Sequence, residues 1–367
     1  FACVQCHSHP YDPFRQDEYY KFMAFFNNTR DEDVTGDYPQ LREVNTADQQ
    51  KFEELNTWLQ QYAPKEKTLA LNTFIKTWQP AVNAHLADKL VNSAVSDTRL
   101  ALRNHSTARL SGIDLTGKTV LRYRYTSGMA NGKWTIHVDR PDGPVLVSTV
   151  IPETKGWTIG SVYLNATDGI HDLYMSYSNP GVKKAEEQTL AYFDWFSFMS
   201  SFPGSGQEGY DSARTWFNEL LLSTTPVTTP VMMENPADMF RSTHVFERGN
   251  WMVKGEEVQP DVPASLNPMP QGAPRNRLGL AMWMTDKKNP LTSRTIVNRI
   301  WEQLMGQGIA ETLEDLGSQG IDPTPRELLD WLSWQLMHEY NWSLKKLIKT
   351  IVMSATYRQD SRVTTGM

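Results

Sequence analysis

The stretch VLRYRYTSGMANGKWTIHVDR, residues 120–140, decides the fold of the middle of the chain. In both of its halves, β-branched and aromatic residues alternate with other residues at a period of two, which is typical of β-strands. The segment MANGK between the halves contains Asn and Gly, the residues that favour tight turns. The stretch therefore predicts two strands joined by a turn.

The same pattern continues along the chain after this stretch. Four further β-rich runs follow at the spacing of an antiparallel sandwich, with RPDG, ETKG, ATDG and NPG between them: PVLVSTVI, GSVYLNA, HDLYMSYS and AYFDWFSFM. We therefore predict an antiparallel β-sandwich of the jelly-roll type over residues 96–202.

The regions on either side of this sandwich have the periodicity of helices. Residues 1–95 and 276–367 contain runs with apolar side chains at i, i+3 and i+4, such as QDEYYKFMAFF and TPRELLDWLSWQLMHEY. Residues 203–275 are rich in Pro and Gly and contain one predicted helix, at about 209–222. The predicted fold class is multidomain α+β, in which mainly helical N- and C-terminal regions flank the sandwich.

The composition is that of a globular protein, with 40% hydrophobic and 21% charged residues. No apolar run reaches the length of about 18 residues that a transmembrane helix needs, so we predict no transmembrane segment in this chain. The net charge is −6 and no basic cluster occurs, which argues against nucleic acid as a partner. Because the chain begins at Phe1 within its first motif, we expect it to be a piece of a longer protein.

The motif CVQCH, residues 3–7, holds both cysteines of the chain. A redox disulfide is typical of a cysteine pair that follows a strand of a thioredoxin-like unit, and no strand is predicted here. A zinc site needs four ligands, for which His7, His9 and Asp12 are the nearby candidates. Covalent haem needs Cys3 and Cys6 for two thioether bonds and His7 as the iron ligand, and the motif supplies all three. We favour haem c and keep zinc as the alternative.

Longer segments resemble a known family. CVQCHSHPYDPFRQDEYYKFMAFFNNTRDED, residues 3–33, resembles the cytochrome-like domain of the large planctomycete-type cytochrome c proteins. The C-terminal part resembles the partner domain of the same proteins in STHVFERGNW, NRLGLAMWM, NPLTSRTIVNRIWEQLMGQGI and IVMSATYRQDS. The resemblance covers roughly residues 1–60 and 210–362. It implies a periplasmic, cell-surface or secreted haem protein that is associated with polysaccharide degradation.

The sandwich region is similar to family-six carbohydrate-binding modules over about residues 98–200, in IDLTGKTVLRYRY, GIHDLYMSYS and FDWFSF. The resemblance implies a polysaccharide or oligosaccharide ligand. It makes Trp134 and Trp157 candidates for contact with a sugar, with a place in the sandwich core as the alternative. It also makes Asp194 a candidate ligand of a structural calcium ion, with a turn or capping role as the alternative.

Three functions remain open at this point. The first is a c-type haem protein for electron transfer or redox chemistry on or near polysaccharide, with a redox partner protein; as an enzyme it would oxidise sugar. The second is a non-catalytic glycan-binding scaffold in which the haem is structural. The third is a metal-dependent glycan hydrolase, although ETLED, residues 311–315, is the only local cluster of carboxylates that we single out for it, and such runs are typical of solvated helix starts. We favour the first function.

Overall fold

The structure is a computed structural model that describes residues 2–30, 39–182, 188–223 and 227–360. The last three residues of the cytochrome-like segment, 31–33, lie outside the described residues. The chain divides into two compact units. We call residues 1–28 with 240–367 the terminal unit and residues 29–239 the central unit, and each is described by itself.

The described residues form helices and strands in the regions where the sequence predicts them. The helices are α1 (Gln16–Asn27), α2 (Gln49–Tyr62), α3 (Lys65–Thr77), α4 (Tyr210–Leu222), α5 (Arg277–Met284), α6 (Thr292–Met305), α7 (Arg326–Trp334) and α8 (Leu344–Val352). The strands are β1 (Gln40–Arg42), β2 (Val82–Asn83), β3 (Asp88–Val95), β4 (Leu100–Asp114), β5 (Val120–Ser127), β6 (Gly132–Val138), β7 (Val145–Ile151), β8 (Thr158–Tyr163), β9 (Ile170–Ser178), β10 (Ala191–Met199), β11 (Thr228–Pro230), β12 (Thr243–Phe246) and β13 (Lys254–Val258). Within the part of the chain that the structure describes, no helix is both long and apolar enough to cross a membrane.

The central unit contains the predicted antiparallel β-sandwich. Its strands follow the order β7-β6-β9-β4-β10-β5-β8, with β3 paired to β4 and β2 to β10, and all of these pairs are antiparallel. Alternate side chains of the strands fill one apolar core, as the period of two predicts. The predicted fold class, α+β with helical regions around a sandwich, is confirmed.

Three helices of the central unit pack on the sandwich. Side chains of α2, α3 and α4 form a second apolar core together with Trp195 of β10; its largest fully buried members are Leu55, Leu59, Phe74 and Phe217. The division of the chain therefore differs from the predicted boundaries at 95, 202 and 275. Residues 29–95 and the helix of the predicted connector belong to the unit that holds the sandwich, because their apolar faces are buried against it.

The terminal unit has two smaller apolar cores. One joins α1 and α5 through Phe25, Leu280 and Trp283. The other joins α6, α7 and α8. Helix α6 ends at Gly306, whose φ of 87° is the left-handed conformation that favours glycine after a helix.

Asn298 connects α6 to the chain that follows it. Its side chain is 2% exposed, donates to the carbonyl of Ala310 at 2.8 Å and accepts from the amide of Ala310 at 2.9 Å. Asn298→Ala would leave both backbone groups buried without a partner. We expect the free energy of unfolding of the terminal unit to fall by about 2–4 kcal/mol, measured by urea denaturation followed by circular dichroism. The exposed Gln303→Ala is the control, and an equal effect of the two changes would contradict this role of Asn298.

His171 at the start of β9 predicts a dependence of stability on pH. Its Nε2 faces the carbonyl oxygen of Asp168 at 2.9 Å and its Nδ1 faces the carboxylate of Asp139 at 3.0 Å, so both ring nitrogens face acceptors. The Asp168 carbonyl first and the Asp139 carboxylate second raise the pKa of His171 above its ordinary value of 6.5. The protonated ring stabilises the folded state below about pH 6.5, and this contribution is lost as the pH rises through the raised pKa.

We therefore compare the wild-type protein with His171→Gln at several pH values. The wild type should be more stable by a few tenths of a kcal/mol at pH 5.5, because the pair lies near the surface. The difference should shrink as the pH rises above 6.5, through the raised pKa of His171. A difference that grows with pH would contradict the prediction.

Candidate functional sites

The central unit contains a cavity of about 640 Å³ beside strands β5, β8 and β10 of the sandwich. Its wall is completed by the end of α3, the end of α4, β1 and the turn between β3 and β4. Sandwich and helical residues thus contribute to the same cavity. We call it the arginine pocket, after Arg42, Arg99 and Arg124 in its wall.

Five side chains in the wall alternate between arginine and tryptophan. The guanidinium carbon of Arg42 lies 3.8 Å from the ring centroid of Trp78, and that of Arg124 lies 4.9 Å from the same ring. Arg124 is also 4.8 Å from the ring centroid of Trp157, and Arg99 is 5.4 Å from it. Guanidinium groups at these distances are attracted to the ring faces. We call these five residues the arginine–tryptophan ladder.

The backbone and the indole nitrogen of Trp78 fix the position of its ring in the arginine–tryptophan ladder. Trp78 caps α3 with a φ of 56°, which is in the left-handed region, and its amide donates to the carbonyl of Phe74 at 2.9 Å. Its indole Nε1 donates to the carbonyl of Leu221 at the end of α4, at 3.3 Å. The ring is thus held between two helix ends and faces the pocket.

Arg42 is a buried cation without a carboxylate partner among the described residues. It is 9% exposed and donates only to carbonyl oxygens, those of Ile75 at 3.2 Å and Ser223 at 2.7 Å. Burial first, and then the charge of Arg124, lower the pKa of Arg42 to about 10, so that it stays charged at neutral pH. Three arginines and one aspartate are the charged side chains in the described wall, which gives a net charge of +2.

The aspartate of the pocket is Asp194 on β10. The pairing register of β5 and β10 shifts between Phe193 and Trp195, so Asp194 lies at a β-bulge, an irregularity that re-aims a side chain. Its carboxylate forms an ion pair with Arg124. The calcium role of Asp194 stays a prediction. Asp194 holds Arg124 in the ladder.

The two tryptophans that the sequence offers as sugar contacts lie in different surroundings. Trp157 is half-buried, directly precedes β8 and lines the pocket. Trp134 is fully buried in the sandwich core, with its ring centroid 4.7 Å from that of Phe193 and 4.9 Å from that of Tyr123. Trp134 is therefore corrected from a candidate sugar contact to a core residue, because a glycan has no access to its ring.

The terminal unit carries the CVQCH motif on a short 3₁₀ helix, Ala2–Gln5. Val4 is fully buried, whereas Cys3 and Cys6 on either side of it are exposed and form no disulfide. Tyr20 of α1 donates to the carbonyl of Gln5 at 2.8 Å, which attaches the motif to the helix. Both thiols are thus presented to solvent by an anchored turn, as thioether attachment would need.

The imidazole of His7 has a defined tautomer. Its Nδ1 lies 2.8 Å from the carbonyl oxygen of Ser8, and a carbonyl can only accept, so Nδ1 carries the proton. Nε2 then has its lone pair free, and the ring is exposed. A neutral imidazole whose other nitrogen donates to a carbonyl is a typical metal ligand.

The other two candidate zinc ligands, His9 and Asp12, accept hydrogen bonds from backbone amides. Nδ1 of His9 accepts from the amide of Asp12 at 2.9 Å, and Asp12 accepts from the amide of Ser318 at 2.8 Å. The latter bond is the main cause that lowers the pKa of Asp12 below its ordinary value. Within the described residues, no three His, Cys, Asp or Glu side chains form a group that could hold a metal ion.

The loop that joins β12 to β13 lies next to Cys6. A Cβ atom added to Gly249 would lie 2.8 Å from Sγ of Cys6, and the φ of 75° at Gly249 is left-handed, which favours glycine. Two residues further on, Trp251 and Met252 are 71% and 70% exposed. The loop thus places large apolar side chains at the surface close to the cysteine pair.

Three family models match the chain in sequence order. Residues 1–31 match PSCyt2, protein of unknown function (DUF1549). Residues 104–200 match the carbohydrate-binding module of family 6, and residues 276–367 match PSD1, protein of unknown function (DUF1553). These matches confirm the predicted resemblance to planctomycete-type proteins with paired domains and an inserted carbohydrate-binding-module-like region. None of the curated proteins is a significant match to the chain.

Among solved structures, family 6 carbohydrate-binding modules are similar to the chain. One is a module from Clostridium stercorarium in complex with cellobiose, at 17% identity over 33% of this chain and 94% of that one, with a TM-score of 0.29. A module from Clostridium cellulolyticum in complex with xylose has 15% identity over 33% and 97%, with a TM-score of 0.29. A β-1,3-glucan-binding module from Bacillus halodurans has 17% identity over 33% and 96%, again with a TM-score of 0.29.

Proposed function

We propose that the central unit binds polysaccharide or oligosaccharide in the arginine pocket. The observation that carries this proposal is the cavity itself, which is large enough for a sugar residue, is lined by Trp157 and Trp78, and lies beside a sandwich that matches a carbohydrate-binding family. Ligand sites are typically concave, with aromatic walls and a few polar groups that orient the ligand. Gln40, Asn83 and Thr158 add such polar groups to the wall.

The pocket supports binding and offers no pair of carboxylates for hydrolysis. Asp194 is the one carboxylate in its described wall, and it is paired with Arg124. Hydrolysis of a glycosidic bond in most families needs two carboxyl groups, an acid with a nucleophile or base. Binding is therefore the role that we assign to the central unit, and the hydrolase alternative has no support from this site.

The direct test is affinity gel electrophoresis of the purified protein in gels that contain one polysaccharide each. The panel includes xylan, β-1,3-glucan, cellulose derivatives, polygalacturonate and carrageenan. We expect retarded migration with at least one member and a matching Kd by isothermal titration with its oligosaccharides. Unchanged migration with every member would refute binding by this unit.

We also propose that the terminal unit carries a covalent haem on Cys3 and Cys6, with His7 as the iron ligand. The exposed thiols, the Nε2 of His7 and the exposed Trp251 and Met252 in the loop beside Cys6 support this second function. When bound, haem would supply one-electron exchange with a redox partner protein. The protein would then be extracytoplasmic, at the cell surface, in the periplasm or secreted, and would bring a redox centre to a polysaccharide.

In this arrangement the chain's own residues hold and position the cofactor. Val4 and Tyr20 fix the turn that presents the thiols, and the carbonyl of Ser8 keeps the proton on Nδ1 of His7. Trp251 and Met252 would supply apolar surface near the attachment site at Cys6. A glycan-binding scaffold with a structural haem differs from this proposal only in lacking electron exchange, which reduction by dithionite followed by transfer to a soluble acceptor distinguishes.

A further inference from the structure

We propose that the arginine pocket recognises the anionic group of an acidic saccharide, a carboxylate or a sulfate ester. This inference rests on the proposed glycan binding and specifies its ligand class. The observation behind it is the net charge of +2 in the pocket wall of a chain whose net charge is −6. A neutral sugar would leave these cations without a counterion in the bound state.

Each arginine of the ladder has donors left for a ligand. Arg124 makes one ion pair, to Asp194, and Arg99 makes none within the described residues. A guanidinium has five N–H donors in a planar fork that matches the oxygens of a carboxylate or a sulfate. Their contacts with Trp78 and Trp157 restrict these side chains, so less side-chain entropy is lost when an anion binds.

Arg42 supplies positive charge close to Arg124, because both contact the ring of Trp78. It is nearly buried and its described partners are carbonyl oxygens, so no carboxylate among the described residues neutralises its charge. A buried cation of this kind attracts an anion more strongly than an exposed one, because less water screens it. Arg42 and Arg124 both contact the ring of Trp78. The positive charge of Arg42 therefore adds to the electrostatic attraction for an anion at the place where Arg124 would donate hydrogen bonds to it.

Three of the five ladder residues lie outside the carbohydrate-binding-module match at 104–200. Arg42 comes from β1, Trp78 from the end of α3 and Arg99 from the β3–β4 turn, whereas Arg124 and Trp157 lie in the matched region. The anion site therefore depends on the helical part of the central unit and exists only in the whole unit. A sandwich without residues 29–95 would lack two of the five residues.

Matched pairs of polysaccharides test the inference on the full chain. Sodium polygalacturonate is compared with its fully methyl-esterified form, and carrageenan with its desulfated form, which separates carboxylate from sulfate as the recognised group. We expect at least one anionic polymer to bind at least about tenfold more tightly than its neutral counterpart. Its binding should weaken as NaCl is raised from about 20 to about 500 mM.

Arg99→Gln is the decisive variant, because Arg99 is exposed and supports no ion pair that folding needs. It should weaken binding of the preferred anionic polymer by about tenfold, weaken binding of the neutral counterpart much less, and leave the thermal midpoint unchanged. Arg99→Lys, which keeps the charge, should recover part of the loss. Arg140→Gln, an exposed arginine in the β6–β7 connection, removes the same charge away from the pocket and should have no effect.

The outcomes separate the two proposals. Equal binding of charged and neutral polymers, or an equal effect of Arg99→Gln on both, overturns the anionic ligand and leaves glycan binding in place. An equal effect of Arg140→Gln also overturns the anionic ligand, because a positive charge away from the pocket would then contribute as much to binding as one in its wall. If no polymer of either kind binds, glycan binding itself fails.

Discussion

Replacing both cysteines, as Cys3→Ser with Cys6→Ser, should abolish covalent haem completely. The two thioether bonds are the only covalent links that the motif offers, and no other cysteine exists in the chain. The measurement is a pyridine haemochrome spectrum after acid–acetone extraction of protein produced in a host that attaches haem c. The wild type should retain its α-band after extraction and the double variant should retain none.

Single variants add a spectroscopic signature that loss of folding could not produce. Cys3→Ser or Cys6→Ser alone leaves one thioether, so one vinyl group stays conjugated to the ring and the α-band moves to longer wavelength. Both thiols are exposed, and the buried anchor of the turn is Val4, so serine should not disturb the fold. Circular dichroism verifies this for each variant.

His9→Gln is the control that separates haem from zinc. His9 already uses Nδ1 in the turn with Asp12, so a haem protein should keep its full haem content when His9 is changed. If the motif held zinc instead, His9→Gln and His7→Gln would both lower the zinc content, and no haem band would appear in the native protein. That second pattern would refute haem attachment at this site.

The sequence predicted the sandwich because its signals are local. Alternation of side chains and the turn residues between runs depend only on neighbouring residues. The same alternation places Trp134 in the core. Trp134, Ile136 and Val138 lie on one face of β6, and all three are buried. A strict use of the period of two would have assigned Trp134 to the core.

The pocket could not be predicted in the same way. Its ladder joins five residues that are far apart in the sequence, and only Trp157 was identified as a candidate. An amphipathic helix such as α3 indicates that one face will be buried, but its sequence does not say against which surface. The same limit explains why residues 29–95 were predicted with the haem motif, although they pack on the sandwich.

The largest loss of glycan binding is expected from Trp157→Ala. This residue is the sugar-contact candidate that lines the pocket, and its ring also holds Arg99 and Arg124 in place. Central aromatic residues of binding sites contribute about 2 kcal/mol or more, so we expect binding to the preferred polymer to weaken at least about thirtyfold. Isothermal titration with its oligosaccharide measures the Kd, and Trp157→Phe, which keeps an aromatic face, should retain part of the affinity.

Two comparisons decide whether this loss is specific. Trp331→Ala removes an exposed tryptophan from α7 of the terminal unit and should leave the Kd unchanged. Because Trp157 and Arg99 are in contact, their effects should not add: the double variant with Arg99→Gln should lose less than the two single losses combined. Full additivity would mean that the ladder does not act as one binding surface. Wild-type affinity in Trp157→Ala would exclude the arginine pocket as the glycan site.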